Sequence, residues 1–140
     1  MKRIAFLMVA IACTAMVFGC AHQQKKPVAK KAALQRIHFD FDKSTIKPEY
    51  ETVLKQNAEW MRQNTRANVT IEGHCDERGS IEYNIALGDR RAKSTQRYMS
   101  NLGVASGRLS TVSYGKERPL CTQSNESCWW QNRRAEFVGR

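Results

Sequence analysis

The sequence predicts an α+β fold, in which two main helices pack on one face of a four-stranded mixed sheet. Two long segments place apolar residues at the spacing of a helix face, and four short segments have the apolar or alternating pattern of strands. Their order along the chain is βαβαββ, which is typical of a sandwich of helices on one sheet. A chain of 140 residues has room for one such domain.

The first strand is predicted over residues 37–42, because apolar residues alternate with polar ones there. The three residues that would face the core are Ile37, Phe39 and Phe41. The first helix is predicted over residues 48–63, since Pro48 suits a first helical turn. Its apolar stripe is Tyr50, Val53, Leu54, Ala58 and Met61.

The second strand is predicted over residues 69–74, and a longer helix over residues 81–102 ends at Gly103. The predicted core stripe of this helix is Ile85, Gly88, Ala92, Thr95, Met99 and Leu102. The third and fourth strands are predicted over residues 109–114 and 133–138, with a loop between them.

The N-terminal segment has the layout of a secretory signal, predicted over residues 1–19. Two basic residues precede a short apolar run, and residues 17–20, VFGC, resemble a bacterial lipobox. Cys20 is then expected to carry a lipid anchor, and Ala21 favours the outer membrane over inner-membrane retention. The alternative is an ordinary cleaved signal with a chance cysteine nearby. Residues 20–36 are predicted to be a lipidated N-terminus and basic linker, and residues 37–140 the folded domain.

The net charge of +10 does not indicate a nucleic-acid-binding protein, because the basic residues are unevenly distributed. Seven of the 23 Lys and Arg residues lie in the first 36 residues, which contain no Asp or Glu. A basic linker either contacts anionic lipid headgroups or simply keeps the linker solvated.

Three cysteines remain after the signal and the lipid site are set aside. Cys121 and Cys128 are seven residues apart in a polar loop and are expected to form a disulfide in an oxidising compartment. Cys75 is expected to be a small buried side chain.

No metal site is expected at His74, Cys75 and Asp76, because the side chains of consecutive residues diverge and no second cluster supplies ligands.

The loop after the second strand and the start of the second helix are predicted to form a binding groove. On a helix, Asn84, Leu87 and Arg91 fall within about 60° of one another, on a second face beside the core stripe. This face would border Asp76, so that a carboxylate and a guanidinium stand on opposite sides of the groove. Such a groove would hold a zwitterionic group, the Asp binding its ammonium and the Arg its carboxylate.

Four motifs carry a resemblance to a known family. Residues 72–79, 83–92, 112–119 and 132–135 read EGHCDERG, YNIALGDRRA, VSYGKERP and NRRA. With the first strand they resemble the OmpA-like peptidoglycan-binding domain over residues 37–138, and within it the lipid-anchored branch that belongs to the Tol system. Cys75, where Ala or Thr is more usual, and the Cys121–Cys128 loop depart from the family pattern.

The resemblance implies a non-covalent peptidoglycan-binding domain that tethers the outer membrane to the wall. Asp76 would bind the ammonium of a diaminopimelate side chain and Arg91 its carboxylate. The remaining pocket residues implied by the family are Phe41, Asp42, Asn84 and Leu87. The implied partners are peptidoglycan and the periplasmic propeller protein of the Tol system, for a lipid-anchored protein that faces the periplasm and supports envelope integrity and division.

The sequence also bears on three other functions. A wall-processing enzyme would need an activated nucleophile or paired carboxylates in a deep pocket, and neither pattern is present, so no catalysis and no cofactor are expected. A flagellar-motor stator of the same family would need a transmembrane helix and a plug segment. An OmpA-like lipoprotein outside the Tol system stays open as the nearest alternative.

Overall fold

The structure, a computed structural model, describes residues 34–139. The predicted signal segment, Cys20 and nearly all of the linker lie outside these residues. The helices and strands are β1 (Ile37–His38), α1 (Glu51–Gln63), β2 (Val69–His74), α2 (Ile81–Asn101), β3 (Leu109–Gly115), α3 (Glu126–Asn132) and β4 (Arg134–Gly139). Short 3-10 turns precede α1 and β3, at Pro48–Tyr50 and Ser106–Arg108.

The four strands form one mixed sheet in the order β1-β4-β2-β3. The last strand, β4, lies between β1 and β2 and is antiparallel to both, whereas β2 and β3 are parallel. Both long helices contribute to a single core against this sheet. The predicted α+β class and the order of its main elements are therefore confirmed.

The core contains the apolar stripes that periodicity predicted, with one exception. Leu54, Ala58 and Met61 of α1 and Ala92 and Met99 of α2 are buried against the inner side chains of the sheet. Ile85 was predicted to join them, but its side chain is 38% exposed. It lies beside Gly115 at the end of β3, where the sheet stops and no longer covers the helix.

The first strand is shorter than predicted, because the chain turns after Phe39. Phe39 is buried and its N–H donates to the Arg133 carbonyl at 2.8 Å. The Lys43 N–H then donates to the Asp40 carbonyl at 3.2 Å and closes a turn, within which Asp42 has a φ of 54°. Phe41 is 55% exposed, so its predicted core position is wrong, and it lies on the surface instead.

The loop between β3 and β4 contains α3, a short helix that periodicity did not predict. Its seven residues are too few to show a repeating apolar stripe. The Asn125 side chain caps it by accepting from the Cys128 N–H, and Cys128 is joined to Cys121 by a disulfide. The Asn132 side chain also bonds the backbone of Cys121, so both ends of α3 are tied to the preceding loop.

The packed region begins before the predicted boundary at residue 37. Leu34 packs against the core, and the Asn57 side chain exchanges two hydrogen bonds with the backbone of Gln35, at 2.7 and 2.9 Å.

No helix within residues 34–139 has the length and apolar character needed to cross a membrane.

The backbones of β2 and α2 are in direct contact at two glycines. A methyl group added at Gly88 would lie 2.9 Å from the Gly73 carbonyl oxygen, and one at Gly73 would overlap the Gly88 carbonyl. Any larger residue at either position therefore pushes the helix off the strand. This contact holds the first turns of α2 over the carboxyl end of β2.

Candidate ligand-binding site

A cavity of about 240 Å³ opens where β2 ends and α2 begins. It is lined by Phe41, Asp42, Cys75, Asp76, Arg78, Gly79, Tyr83, Asn84, Leu87 and Arg91. All six residues that the sequence suggested for a pocket therefore lie around one cavity. Their roles in binding stay predictions, and four further lining residues were not in the predicted set.

The helix positions three of these side chains. Asn84, Leu87 and Arg91 share one face of α2, as their spacing predicted, and each is at most 5% exposed. This second face does not look onto solvent, because the loop after β2 and the turn at residues 40–43 cover it. The Asn84 amide donates to the carbonyls of Arg78 and Ser80, which fixes the shape of that loop.

Asp76 is a buried carboxylate that accepts hydrogen bonds from two arginines. Its Oδ1 accepts from the Arg78 backbone N–H and Nε–H, each at 3.2 Å, and its Oδ2 accepts from Arg78 Nη2 at 2.6 Å and Arg133 Nη1 at 3.2 Å. Burial by itself raises the pKa of Asp76, but the hydrogen bonds from Arg78 and Arg133 outweigh it and hold the pKa below its usual value. Asp76 is therefore ionised at neutral pH.

Arg91 is fully buried and has no acidic partner among residues 34–139. Three of its five N–H groups donate to backbone carbonyls: Nε to Lys43 at 2.8 Å, Nη1 to His74 at 2.8 Å and Nη2 to Asp40 at 3.1 Å. Burial lowers its pKa, yet a guanidinium keeps its proton in proteins. The cavity wall thus contains a buried cation that donates to three carbonyl groups, lies 5.1 Å from the centroid of the Phe39 ring and forms no ion pair among the described residues.

Arg78 is the main lining residue that sequence reasoning missed. Its guanidinium lies between two aromatic rings, 4.0 Å from the centroid of Phe41 and 4.1 Å from that of Trp129. The signal was its place in the loop motif two residues after Asp76, since an Asp-x-Arg spacing allows a local ion pair. The Trp129 indole is held in this position because its N–H donates to the Glu77 carboxylate at 2.9 Å.

The rim of the cavity is formed by Phe41, Asp42 and Tyr83. The Tyr83 hydroxyl donates to the Asp42 carboxylate and links the turn after β1 to α2. Asp42 has the left-handed backbone conformation, which is uncommon outside glycine and frequent at ligand-binding positions. The two rim aromatics remain about half exposed.

Cys75 lines the cavity but is not arranged as a nucleophile. The side chain is 2% exposed, and its thiol donates to the Asn84 carbonyl at 3.4 Å. Burial raises the pKa of this thiol to about 11, so it is protonated at neutral pH.

The two arginines of the NRRA motif, Arg133 and Arg134, have acidic partners within the domain. Arg133 supports Asp76 from behind, since its guanidinium also donates to the Phe39 carbonyl at 3.1 Å and to Glu126. Arg134 pairs with Glu136 at 2.9 Å on the other face of the sheet. Within the part of the chain that the structure describes, no three His, Cys, Asp or Glu side chains come together as metal ligands.

The cavity therefore offers opposite charges on its walls and an apolar surface between them. An anion fits against Arg91, and a cation fits against Asp42, or against Asp76 if one of its arginine donors withdraws. Leu87 and the ring of Phe41 offer contact to a short hydrocarbon chain. This chemistry suits a small zwitterionic group at the end of an aliphatic chain.

Comparison with known proteins places this geometry in a family. The OmpA family model matches residues 38–133. A peptidoglycan-associated lipoprotein from Mesorhizobium japonicum is 50% identical over 71% of this chain and 60% of its own length. One from Rhizobium meliloti is 38% identical over 94% of this chain and 86% of its own length.

A solved structure agrees with the sequence comparison. The crystal structure of the peptidoglycan-associated lipoprotein from Burkholderia pseudomallei aligns with a TM-score of 0.74 and 37% identity, over 85% of this chain and 98% of that chain. The chain spans 60% and 61% of the length of two of the relatives it matches, from Mesorhizobium japonicum and Brucella melitensis. The family match over residues 38–133 includes every residue that lines the cavity, and the chain belongs to the OmpA family.

Proposed function

We propose that this chain is a lipid-anchored protein that binds peptidoglycan non-covalently and tethers the outer membrane to the wall. The observation that carries the proposal is Arg91, a fully buried guanidinium without an acidic partner in the described residues, in the same cavity wall as the buried carboxylate of Asp76. A buried charge without a countercharge is costly. A ligand that brings a carboxylate would remove that cost.

The ligand of this cavity is the side-chain terminus of diaminopimelate in a wall peptide. That terminus has an ammonium and a carboxylate on one carbon, at the end of a short methylene chain. The carboxylate would accept from the N–H groups of Arg91 that have no backbone acceptor, and the ammonium would donate to Asp76. Leu87 and Phe41 would contact the methylene groups, and Asn84 and Asp42 complete the walls.

The size of the cavity supports this assignment. A volume of about 240 Å³ is below the range of roughly 300–1,000 Å³ that is common for sites enclosing a whole small molecule. It suits the end of one side chain, with the rest of the wall polymer outside. Binding without catalysis also agrees with the protonated thiol of Cys75 and the saturated carboxylate of Asp76, which offer neither a nucleophile nor a free base.

The site residues can be tested by co-sedimentation of the full chain, in mild detergent, with purified peptidoglycan sacculi. Asp76→Asn and Arg91→Lys should each weaken binding by roughly tenfold or more, because each removes charge-assisted hydrogen bonds of about 1.5–3 kcal/mol. Asp89→Asn and Arg97→Lys are the matched controls. Both residues lie on α2 outside the cavity, and both variants should bind like the parent chain.

Folding of each variant is checked by circular dichroism before binding is compared. If folded Asp76→Asn and Arg91→Lys chains pellet with sacculi as fully as their controls do, the cavity is not the wall-binding site.

The lipid anchor is proposed at Cys20, which lies outside the described residues. It is supported by the lipobox-like residues 17–20 and by the lipoprotein relatives. Several acyl chains anchor a protein stably, because each buried CH₂ contributes about 0.8 kcal/mol. Cells grown with a labelled fatty acid should label the parent chain in the outer-membrane fraction and leave Cys20→Ser unlabelled. Equal labelling of both chains would place the lipid elsewhere.

We also propose that the propeller protein of the Tol system binds over the same cavity. Phe41 and Tyr83 line the cavity and are about half exposed, as is Ile81 in the first turn of α2. Clustered exposed apolar side chains commonly mark a protein-binding surface. Propeller binding distinguishes this proposal from the alternative, an OmpA-like lipoprotein outside the Tol system, which would not bind the propeller protein through this surface.

Wall and propeller binding should then exclude each other. Adding purified propeller protein to chain-loaded sacculi should release the chain into the supernatant in proportion to the propeller bound. A pellet that contains sacculi, chain and propeller together, with the chain undiminished, would show that the two surfaces are separate.

A further inference from the structure

We infer that Arg78 is a specificity-determining residue of this cavity, because its guanidinium occupies the position on Asp76 that the ammonium of a ligand must take. The inference rests on the proposed function and deepens it. It makes the binding of a cation an exchange of partners on one carboxylate, in which Arg78 leaves and the ammonium enters.

The first step is that Asp76 has no free acceptor position. A carboxylate offers about four lone-pair sites, and Asp76 already accepts four hydrogen bonds, three of them from Arg78 and one from Arg133. An ammonium can bind Asp76 closely only if one donor withdraws. Two of the four are side-chain N–H groups of a single guanidinium, that of Arg78.

The second step is that Arg78, not Arg133, is the donor that can leave. The Arg133 side chain is 7% exposed and also donates to the Phe39 carbonyl and to Glu126. The Arg78 side chain is 32% exposed, and every hydrogen bond from its guanidinium goes to Asp76. Arg78 is therefore the more solvent-exposed of the two arginines and the one that water can take up when it leaves Asp76.

The third step is that the surroundings give the displaced side chain a second partner. The Glu126 carboxylate is 63% exposed and lies 4.0 Å from Arg78 Nη2. A small rotation moves the guanidinium from Asp76 toward Glu126. That movement takes it away from its present place between the rings of Phe41 and Trp129, so the environment of Trp129 must change.

Arg78 makes the cavity selective, because a ligand must compete with its guanidinium for Asp76. A ligand that has only a carboxylate can bind Arg91 but cannot displace Arg78 from Asp76. A ligand with an ammonium beside that carboxylate can do both. Arg78 thus excludes singly charged ligands from half of the cavity.

The test compares Arg78→Met with a matched control, Arg118→Met, in the full chain. Arg118 also stacks on an aromatic ring, 3.6 Å from the centroid of Tyr114, but does not line the cavity. Calorimetry measures the affinity for two synthetic stem tripeptides, one ending in diaminopimelate and one in 2-aminopimelate, which lacks the side-chain ammonium. Arg78→Met should bind the diaminopimelate peptide about three- to fivefold more tightly, because the ammonium no longer competes with the Arg78 guanidinium for Asp76.

For the 2-aminopimelate peptide, Arg78→Met and the parent chain should have equal affinities, and Arg118→Met should change neither. A second readout keeps Arg78 in place. In a chain with Trp60→Phe and Trp130→Phe, Trp129 is the remaining tryptophan, and its fluorescence should change with the diaminopimelate peptide and stay constant with the 2-aminopimelate peptide.

The outcomes separate the two claims. If the parent chain binds neither peptide, the proposed function falls and this inference falls with it. If the parent chain prefers the diaminopimelate peptide, but Arg78→Met binds it equally or more weakly, or Trp129 fluorescence does not respond, then Arg78 is not displaced and only this inference is overturned.

Discussion

The site depends on a contact between two backbones, where Gly88 of α2 lies against Gly73 of β2. Side chains on either residue would separate the helix from the strand. Because they are glycines, the start of α2 lies over the carboxyl end of β2, and Asn84 and Arg91 reach the loop that follows the strand. The strand order positions a further residue of the site. Because β4 lies between β1 and β2, Arg133 at its start reaches Asp76.

The electrostatics of the cavity follow from that placement. Three guanidinium groups surround or face one buried carboxylate, and the one at Arg91 donates to the carbonyl oxygens of Asp40, Lys43 and His74 and forms no ion pair among the described residues. Those same bonds hold the turn that presents Phe41 and Asp42. Arg91 therefore both holds the turn at the rim and supplies the positive charge of the cavity wall. A ligand carboxylate would bind a guanidinium that these hydrogen bonds already hold in place.

Much of this could be predicted from the sequence, because periodicity reports which side of an element is buried. It identified both long helices, β2 to within a residue, and the shared face of Asn84, Leu87 and Arg91. It failed where local geometry overrides pattern. Phe41 continues an alternation but follows a turn, and Ile85 continues a helical stripe past the end of the sheet. One partner of Asp76, Arg133, lies 57 positions away in the chain, and no local pattern encodes that contact.

The most direct test of the central claim is an NMR titration of the isotope-labelled full chain, in detergent, with a stem tripeptide that ends in diaminopimelate. If the cavity binds the diaminopimelate terminus, the Arg91 Nε–H signal shifts together with the backbone amides of residues 40–43 and 75–79. Signals from residues 109–112 of β3, remote from the cavity, should stay in place. If the shifts are confined to residues outside the cavity and Arg91 is unaffected at saturation, the peptide does not bind in this cavity.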